Sequence, residues 1–234
     1  MSLAKTYSIR CPQCDHTQDV ELYDSINVAQ EPQLKAALLE NRLNRVQCES
    51  CDTSFRVDKP VLYHDADRNI LIHWMPDNAC SREEILDEFD DAMEELRATL
   101  PEDMEPPRVR LVFTRVELVE LMFMIEANMD ERVVEYIKYT VYMQNTDRLP
   151  PAKKRLLLNV QDSTADNLLF AVQDVETSEL EEVLRYARDS YRKVRDLYLK
   201  KPDELMELFP GPYINARTTL MDETAEERVE TEEE

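Results

Sequence analysis

Two Cys-x-x-Cys pairs, Cys11/Cys14 in "RCPQCD" and Cys48/Cys51 in "QCESCD", stand 33 residues apart. Nothing else in the chain constrains its folding as tightly. A Cys-x-x-Cys turn places two sulfurs on one side of an ion, and a second such turn completes a tetrahedral shell. The flanks agree with that use: "TYSIR" and "TQDVELY" alternate like strands around the first pair, and "NRVQ" and "TSFRVD" around the second. Strand, knuckle, strand, used twice, is the pattern of a zinc ribbon. A redox dithiol would sit at a helix N-terminus after a strand, and neither pair opens a helix. Disulfides are disfavoured in a reducing compartment. Cys11, Cys14, Cys48 and Cys51 are therefore expected to hold one structural zinc ion. Four protein ligands leave no open position for catalysis by the metal.

Glycine narrows the function further. Gly211 is the only one in 234 residues. Phosphate-cradling loops need residues without a Cβ for close backbone approach, so P-loop and dinucleotide fingerprints are absent. Asn and Asp must occupy whatever positive-φ positions the fold requires. Net charge is −22, made up of −4 over residues 1–80, −11 over 81–221 and −7 over 222–234. Acidity spread in this way repels nucleic acid and anionic membrane. No apolar run reaches membrane-spanning length, and "MSLAKTYSIR" lacks the apolar core of a secretory leader. The expectation is a cytoplasmic protein.

The residues between and after the cysteines carry a resemblance. "DSINVAQEPQLKAALLENRLNRVQCESC" and "FRVDKPVLYHDADRNILIHWMP" come after the two knuckles. Together with the cysteine pairs they resemble the CpXC domain family of bacterial and archaeal proteins over about residues 6–76. "VRLVFTRVELVELMFMIEANMDERVVEYIKY" is similar to the segment after the cysteine domain in longer members. The resemblance implies a zinc ribbon at Cys11, Cys14, Cys48 and Cys51 and brings no activity with it. Two departures stand out. The second pair lacks the proline, and Asp15 and Asp52 replace the usual knuckle glycines. Aspartate tolerates left-handed φ well enough to keep the site.

The pattern predicts an α+β chain: an N-terminal zinc ribbon with a helical insert (1–76), a helix-rich α+β body containing a β-hairpin (77–221) and an acidic disordered tail (222–234). "EPQLKAALLEN" reads as the inserted helix, with Pro32 in its first turn and Asn41 ending it. "KPVLYHD" and "RNILIHWM" form a hairpin. Capping boxes Ser81/Glu84, Thr114/Glu117 and Ser178/Glu181 mark three helix starts, the last for "SELEEVLRYARDSYRKVRDLYLK". Asp130 caps a further helix. "RVRLVF" is a strand, and "KRLLLNVQD" with "NLLFAVQDVE" a hairpin.

Other clusters have ordinary readings. Asp87, Glu88, Asp90, Asp91, Glu94 and Glu95 form the solvated face of a helix whose apolar stripe is Ile85, Phe89, Met93 and Leu96. Asp65 and Asp67 are turn formers. His16, His64 and His73 lack metal-binding spacing, and Cys80 is a small buried residue near a helix start. Arg185, Arg188, Arg192 and Arg195 recur every three or four residues as one helical stripe, ion-paired through Glu181–Arg185 and Asp189–Lys193, with a phosphate or nucleic-acid patch and a contact surface for the acidic tail as the alternatives. The functional expectation is a non-enzymatic zinc protein acting through protein contacts. The alternatives are a transcription- or nucleic-acid-associated factor and an enzyme with its site in the C-terminal body.

Overall fold

β1 (Leu3–Arg10) and β2 (Thr17–Asn27) form an antiparallel hairpin whose turn is the first cysteine knuckle. α1 (Pro32–Leu39) comes next, with Pro32 at its start, and Asn41 (φ 59°) ends it. β3 (Arg45–Gln47) and β4 (Ser54–Arg56) form a second small hairpin around the second knuckle. β5 (Val61–Asp65) and β6 (Ile70–Trp74) pair antiparallel across a 3-10 turn at Ala66–Arg68. In that turn Asp65 accepts from the Arg68 backbone N–H and from its guanidinium. The computed structural model describes residues 1–76, 81–99 and 106–232.

α2 (Arg82–Thr99) leads to β7 (Arg108–Val112), which pairs parallel to β6. A parallel pair needs a crossover connection, and α2 supplies one. The Ser81/Glu84 capping box forms in both directions, at 3.0 and 3.2 Å. The resulting five-stranded sheet has the order β1-β2-β5-β6-β7. β5 and β6 bury alternate residues, Val61, Tyr63, Ile70, Ile72 and Trp74, while β7 is buried almost throughout.

The chain divides into two units, Met1–Leu118 and Val119–Glu234. The boundary expected at residue 76 therefore lies later, because the first unit's sheet takes an edge strand from residues 108–112. α3 (Arg115–Glu126) contains the division. Its capping box also forms: Glu117 accepts from the Thr114 N–H at 3.1 Å, and Thr114 Oγ1 from the Glu117 N–H at 3.2 Å.

In the second unit α4 (Glu131–Met143) is the central helix, capped by Asp130 as expected. Val133, Val134 and Ile137 on it are fully buried. β8 (Lys154–Asn159) and β9 (Asn167–Asp174) form the expected hairpin, but a third strand joins them. β10 (Leu180–Ala187) pairs antiparallel to β9 in the order β10-β9-β8. The helix expected from Ser178 thus begins only at Arg188, as α5 (Arg188–Tyr198). Asp174 Oδ1 accepts from the N–H groups of Glu176 and Thr177, and Ser178 takes φ 62°. That turn hands the chain to the edge of β9, so Ser178 turns a hairpin instead of capping a helix.

α6 (Pro202–Leu208) and α7 (Ala216–Glu232) complete the unit. Composition alone makes residues 222–234 a disordered tail, whereas the structure carries α7 through Glu232. The helix starts upstream, where Asn215 Oδ1 accepts from the Thr218 N–H, and Leu220 packs with Tyr142, Leu149, Leu156 and Val172. Glutamates, good helix formers, then extend an anchored helix.

Candidate metal centre

Both knuckles are built alike. In the first, the Cys11 N–H donates to His16 O (2.8 Å) and the Asp15 N–H to Cys11 O (3.0 Å). In the second, the Cys48 N–H donates to Thr53 O (2.9 Å) and the Asp52 N–H to Cys48 O (2.9 Å). Each turn needs one left-handed residue, and Asp15 (φ 59°) and Asp52 (φ 58°) supply it. Six of the seven non-glycine residues at positive φ among the described residues are Asn or Asp. These types pay the smallest penalty there after glycine.

The knuckles bring together the four sulfurs predicted from sequence. Cys11 Sγ lies 3.7 Å from Cys51 Sγ, and Cys14 Sγ 3.6 Å from Cys48 Sγ. All four sulfurs fall within 4.8 Å of one another. A disulfide would need about 2.05 Å, and all four thiols are free. A regular tetrahedron with metal–sulfur bonds of about 2.3 Å has edges near 3.8 Å, so the donor set can close around a metal ion with little movement. The first cysteine of each pair is buried, Cys11 at 1% and Cys48 at 0% exposure, while Cys14 is exposed and Cys51 half-buried.

Crowding separates the thiols electrostatically. The Thr53 hydroxyl and backbone N–H pull Cys51 down to about 6. The His16 backbone acts to lower Cys14, but the neighbouring sulfurs and desolvation outweigh it and push that thiol up to about 12. Four thiolates packed this closely require a cation to ionise together.

Gln18, at the start of β2, carries no spacing signal and escaped the sequence reading. Its Nε2 donates to Gln47 O at 3.0 Å, and its Oε1 accepts from the Glu49 N–H at 2.9 Å. One amide thus clamps the first hairpin to the second knuckle from both sides of Cys48. Asn44 acts similarly lower down, exchanging two hydrogen bonds with the Tyr23 backbone at 2.8 and 3.0 Å.

The remaining candidates fall elsewhere. His16 is exposed and contributes its carbonyl to the knuckle. His64 meets the Asn27 amide at 3.3 Å, and His73 packs edge-on against Phe89, with burial lowering its pKa. Asp87, Glu88, Asp90, Asp91 and Glu94 are exposed along α2, and Ile85 on the same helix is buried. Cys80 and the side chains of Glu95 and Leu96 lie outside the described residues. The arginine stripe is broken. Arg185 stands on β10, Glu181 pairs with Lys154 across the sheet, and only Arg188, Arg192 and Arg195 share a helix. The Asp189–Lys193 pair forms at 2.8 Å.

A second cluster, unread in the sequence, is buried in the second unit. Lys138 Nζ lies 2.7 Å from Glu120 Oε1 and 2.6 Å from Glu135 Oε1. Glu120 Oε1 also accepts from the Leu158 N–H, and Glu135 Oε2 from the Ala216 N–H at 2.8 Å. Burial acts to lower the lysine, but the two carboxylates overrule it and hold it above its ordinary value. Burial raises Glu135.

Among known proteins, the family model described as CpXC protein matches residues 9–138. No curated protein and no solved structure matches the chain.

Proposed function

This chain belongs to the CpXC family, and on that premise we propose that it is a zinc-ribbon protein, non-enzymatic and cytoplasmic, that works through contacts with other proteins. The observation that carries the reading is the pair of sulfur separations, 3.6 and 3.7 Å, close to the edge of a zinc tetrathiolate. Cys11, Cys14, Cys48 and Cys51 are the ligands. Four thiolates favour zinc among the common divalent ions and leave it no open position, so the ion is structural. It staples the β1–β2 hairpin to the β3–β4 hairpin, each of which is too small to be stable alone. Structural zinc contributes about 10–16 kcal/mol, as much as a whole domain's stability of about 5–15 kcal/mol. Exposed knuckle tips at Pro12, Gln13 and Glu49 offer a rigid contact surface, and the net charge of −22 disfavours nucleic acid.

Native mass spectrometry of untagged protein, purified gently, tests the reading. The expected result is one zinc per chain, lost in Cys48→Ser, with a protein partner retained in the complex. Metal-free protein with four titratable thiols would sink the zinc assignment. A visible ferric-thiolate absorption band would replace zinc by iron.

A further inference from the structure

In a chain of net charge −22, a cleft lined by three arginines and no carboxylate needs an explanation. Arg188, Arg192 and Arg195 occupy i, i+4 and i+7 of α5, the spacing of one helical face. They line a cleft of about 130 Å³ against the α3–α4 connection at Asn128 and Met129, with buried Tyr191 beside them. Two aspartates of the same helix lie near them, Asp189 in the field of Arg192 and Asp196 beside Arg195, but neither lines the cleft. Arg192 makes no ion pair or hydrogen bond among the described residues; Asp189, one turn before it, is taken by Lys193. Among the described residues Arg195 reaches only its neighbour Asp196, at 3.5 Å. Arg188 donates through Nε to Thr164 O at 2.7 Å, which anchors its guanidinium and leaves both terminal nitrogens as donors. Of the two ion pairs expected from sequence, Asp189–Lys193 forms and Glu181–Arg185 does not.

Further donors border the cleft. The exposed Asn128 side chain, set by a backbone at φ 53°, has no hydrogen-bond partner among the described residues. The Tyr191 hydroxyl accepts from the Asp130 N–H at 2.9 Å, and its own proton has no acceptor among them. Arg188 also stands at the first position of α5, where the helix dipole opposes a cation and favours an anion. Three guanidinium groups, a carboxamide and a phenol offer donors and no carboxylate within the cleft lining. A single water needs about 10–15 Å³ of such space, so the cleft admits one tetrahedral oxyanion together with some of its hydration.

We propose that this cleft binds a phosphate-type oxyanion, either inorganic phosphate or the phosphate of a small monoester. Guanidinium forks match two oxygens of a phosphate at a time, and three of them suit a dianion better than a single carboxylate. Binding is reversible and changes no covalent bond.

The test is a titration of the full chain, followed by NMR of the arginine Nε–H and Asn128 side-chain signals, at ionic strength held constant with sodium chloride. Inorganic phosphate and glycerol phosphate are the probes, and acetate is the control. Saturable shifts at Arg188, Arg192, Arg195 and Asn128 are expected. Arg192→Ala/Arg195→Ala should weaken binding by at least about tenfold, the loss of one charge-assisted hydrogen bond or more. Both residues are exposed, so an unchanged backbone spectrum verifies the fold of the variant. Tighter binding of the monoester assigns the esterified form, and equal or weaker binding assigns free phosphate. Linear shifts without saturation, equal affinity in the double variant, or acetate binding as well as phosphate would each overturn the proposal. The last result would assign the face to carboxylates such as those of an acidic segment.

Discussion

Replacing Lys138 with methionine removes the only cation from a buried cluster that keeps two carboxylates, and the cost is set by the groups left behind. Lys138 and Glu135 are each 4% exposed and Glu120 8%. The substitution preserves much of the side-chain volume, so a cavity contributes little. Glu120 keeps the Leu158 N–H and Glu135 keeps the Ala216 N–H, but each loses a charge-assisted bond of 2.6–2.7 Å. Breaking a buried ion pair from one side costs about 3–5 kcal/mol, because the remaining charge is neither solvated nor paired. With a urea slope of about 2 kcal/mol/M, the unfolding midpoint falls by roughly 1.5–2.5 M. Far-UV circular dichroism follows the helices. The emission of Trp74, the only tryptophan, follows the first unit and separates its unfolding from that of the second.

The triple variant Lys138→Met/Glu120→Gln/Glu135→Gln supplies the control. Its amide oxygens still accept from Leu158 and Ala216 and no charge remains, so most of the lost stability returns. The pH dependence has a definite sign. Burial already raises Glu135 above its ordinary 4.5, and removing the ammonium, which acts to lower it, raises it further. A raised carboxyl contributes fully below its unfolded value and loses that contribution as pH climbs toward its folded value. The deficit of Lys138→Met therefore shrinks as pH is lowered from 7.5 to 5.5. A loss under about 1 kcal/mol at pH 7.5, or a deficit independent of pH, would refute the picture of two carboxylates dependent on one buried cation.

Gln18→Ala leaves all four cysteines in place but frees the Gln47 carbonyl and the Glu49 N–H; metal should still bind, with affinity in a chelator competition reduced by about tenfold or more, as for other outer-shell supports. Asp24 is held well below the ordinary carboxylate value, first by Lys59, then by the Tyr7 hydroxyl, with Lys5 assisting at 3.0 Å. A lowered carboxyl contributes stability above its unfolded value near 3.8 that is lost as pH falls through the folded value. Lys59→Met should raise the Asp24 pKa, read from its carboxyl carbon shift, and an unmoved titration would remove Lys59 from the account. At Asp52 (φ 58°) glycine relieves a small backbone penalty and adds chain entropy to the unfolded state, so Asp52→Gly should lie within about 0.5 kcal/mol of the parent. Asp52→Val should lose at least about 1 kcal/mol, and equal stability of the two variants would mean that the knuckle does not impose the left-handed turn.

Legibility in the sequence was local. The knuckles announce themselves through cysteine spacing, and the replacement of glycine by Asp15 and Asp52 is explained by steric rules at one residue. Capping boxes at Ser81 and Thr114 formed because four consecutive residues suffice to make them. Features that depend on distant partners were not readable. Gln18 matters because β3 and the second knuckle come to rest beside it. Glu120, Glu135 and Lys138 look like ordinary surface charges of two amphipathic helices until β8 and the start of α7 close over them. β7 belongs to the first sheet only because β6 offers it an edge.

Residues 178–187 show how such competition is decided. Leu180, Val183, Leu184 and Ala187 fit a helical period, while Glu182, Leu184 and Tyr186 fit a period of two. A helix would turn Leu180 and Val183 inward, yet they are 67% and 59% exposed, and the less exposed positions are Glu182, Leu184 and Tyr186. The open edge of β9 settled the matter, since an unpaired edge costs backbone hydrogen bonds that a strand at once restores. That choice also redistributed charge. On a strand Glu181 no longer lies one turn from Arg185; it reaches Lys154 instead. A longer helix would have set Glu181 and Glu182 beside Arg185 alone; the neighbours of Arg192 one turn away, Asp189 and Asp196 among them, are the same in either case. Strand pairing thus removed Arg185 from the helical stripe and left Arg188, Arg192 and Arg195 to line the cleft on α5.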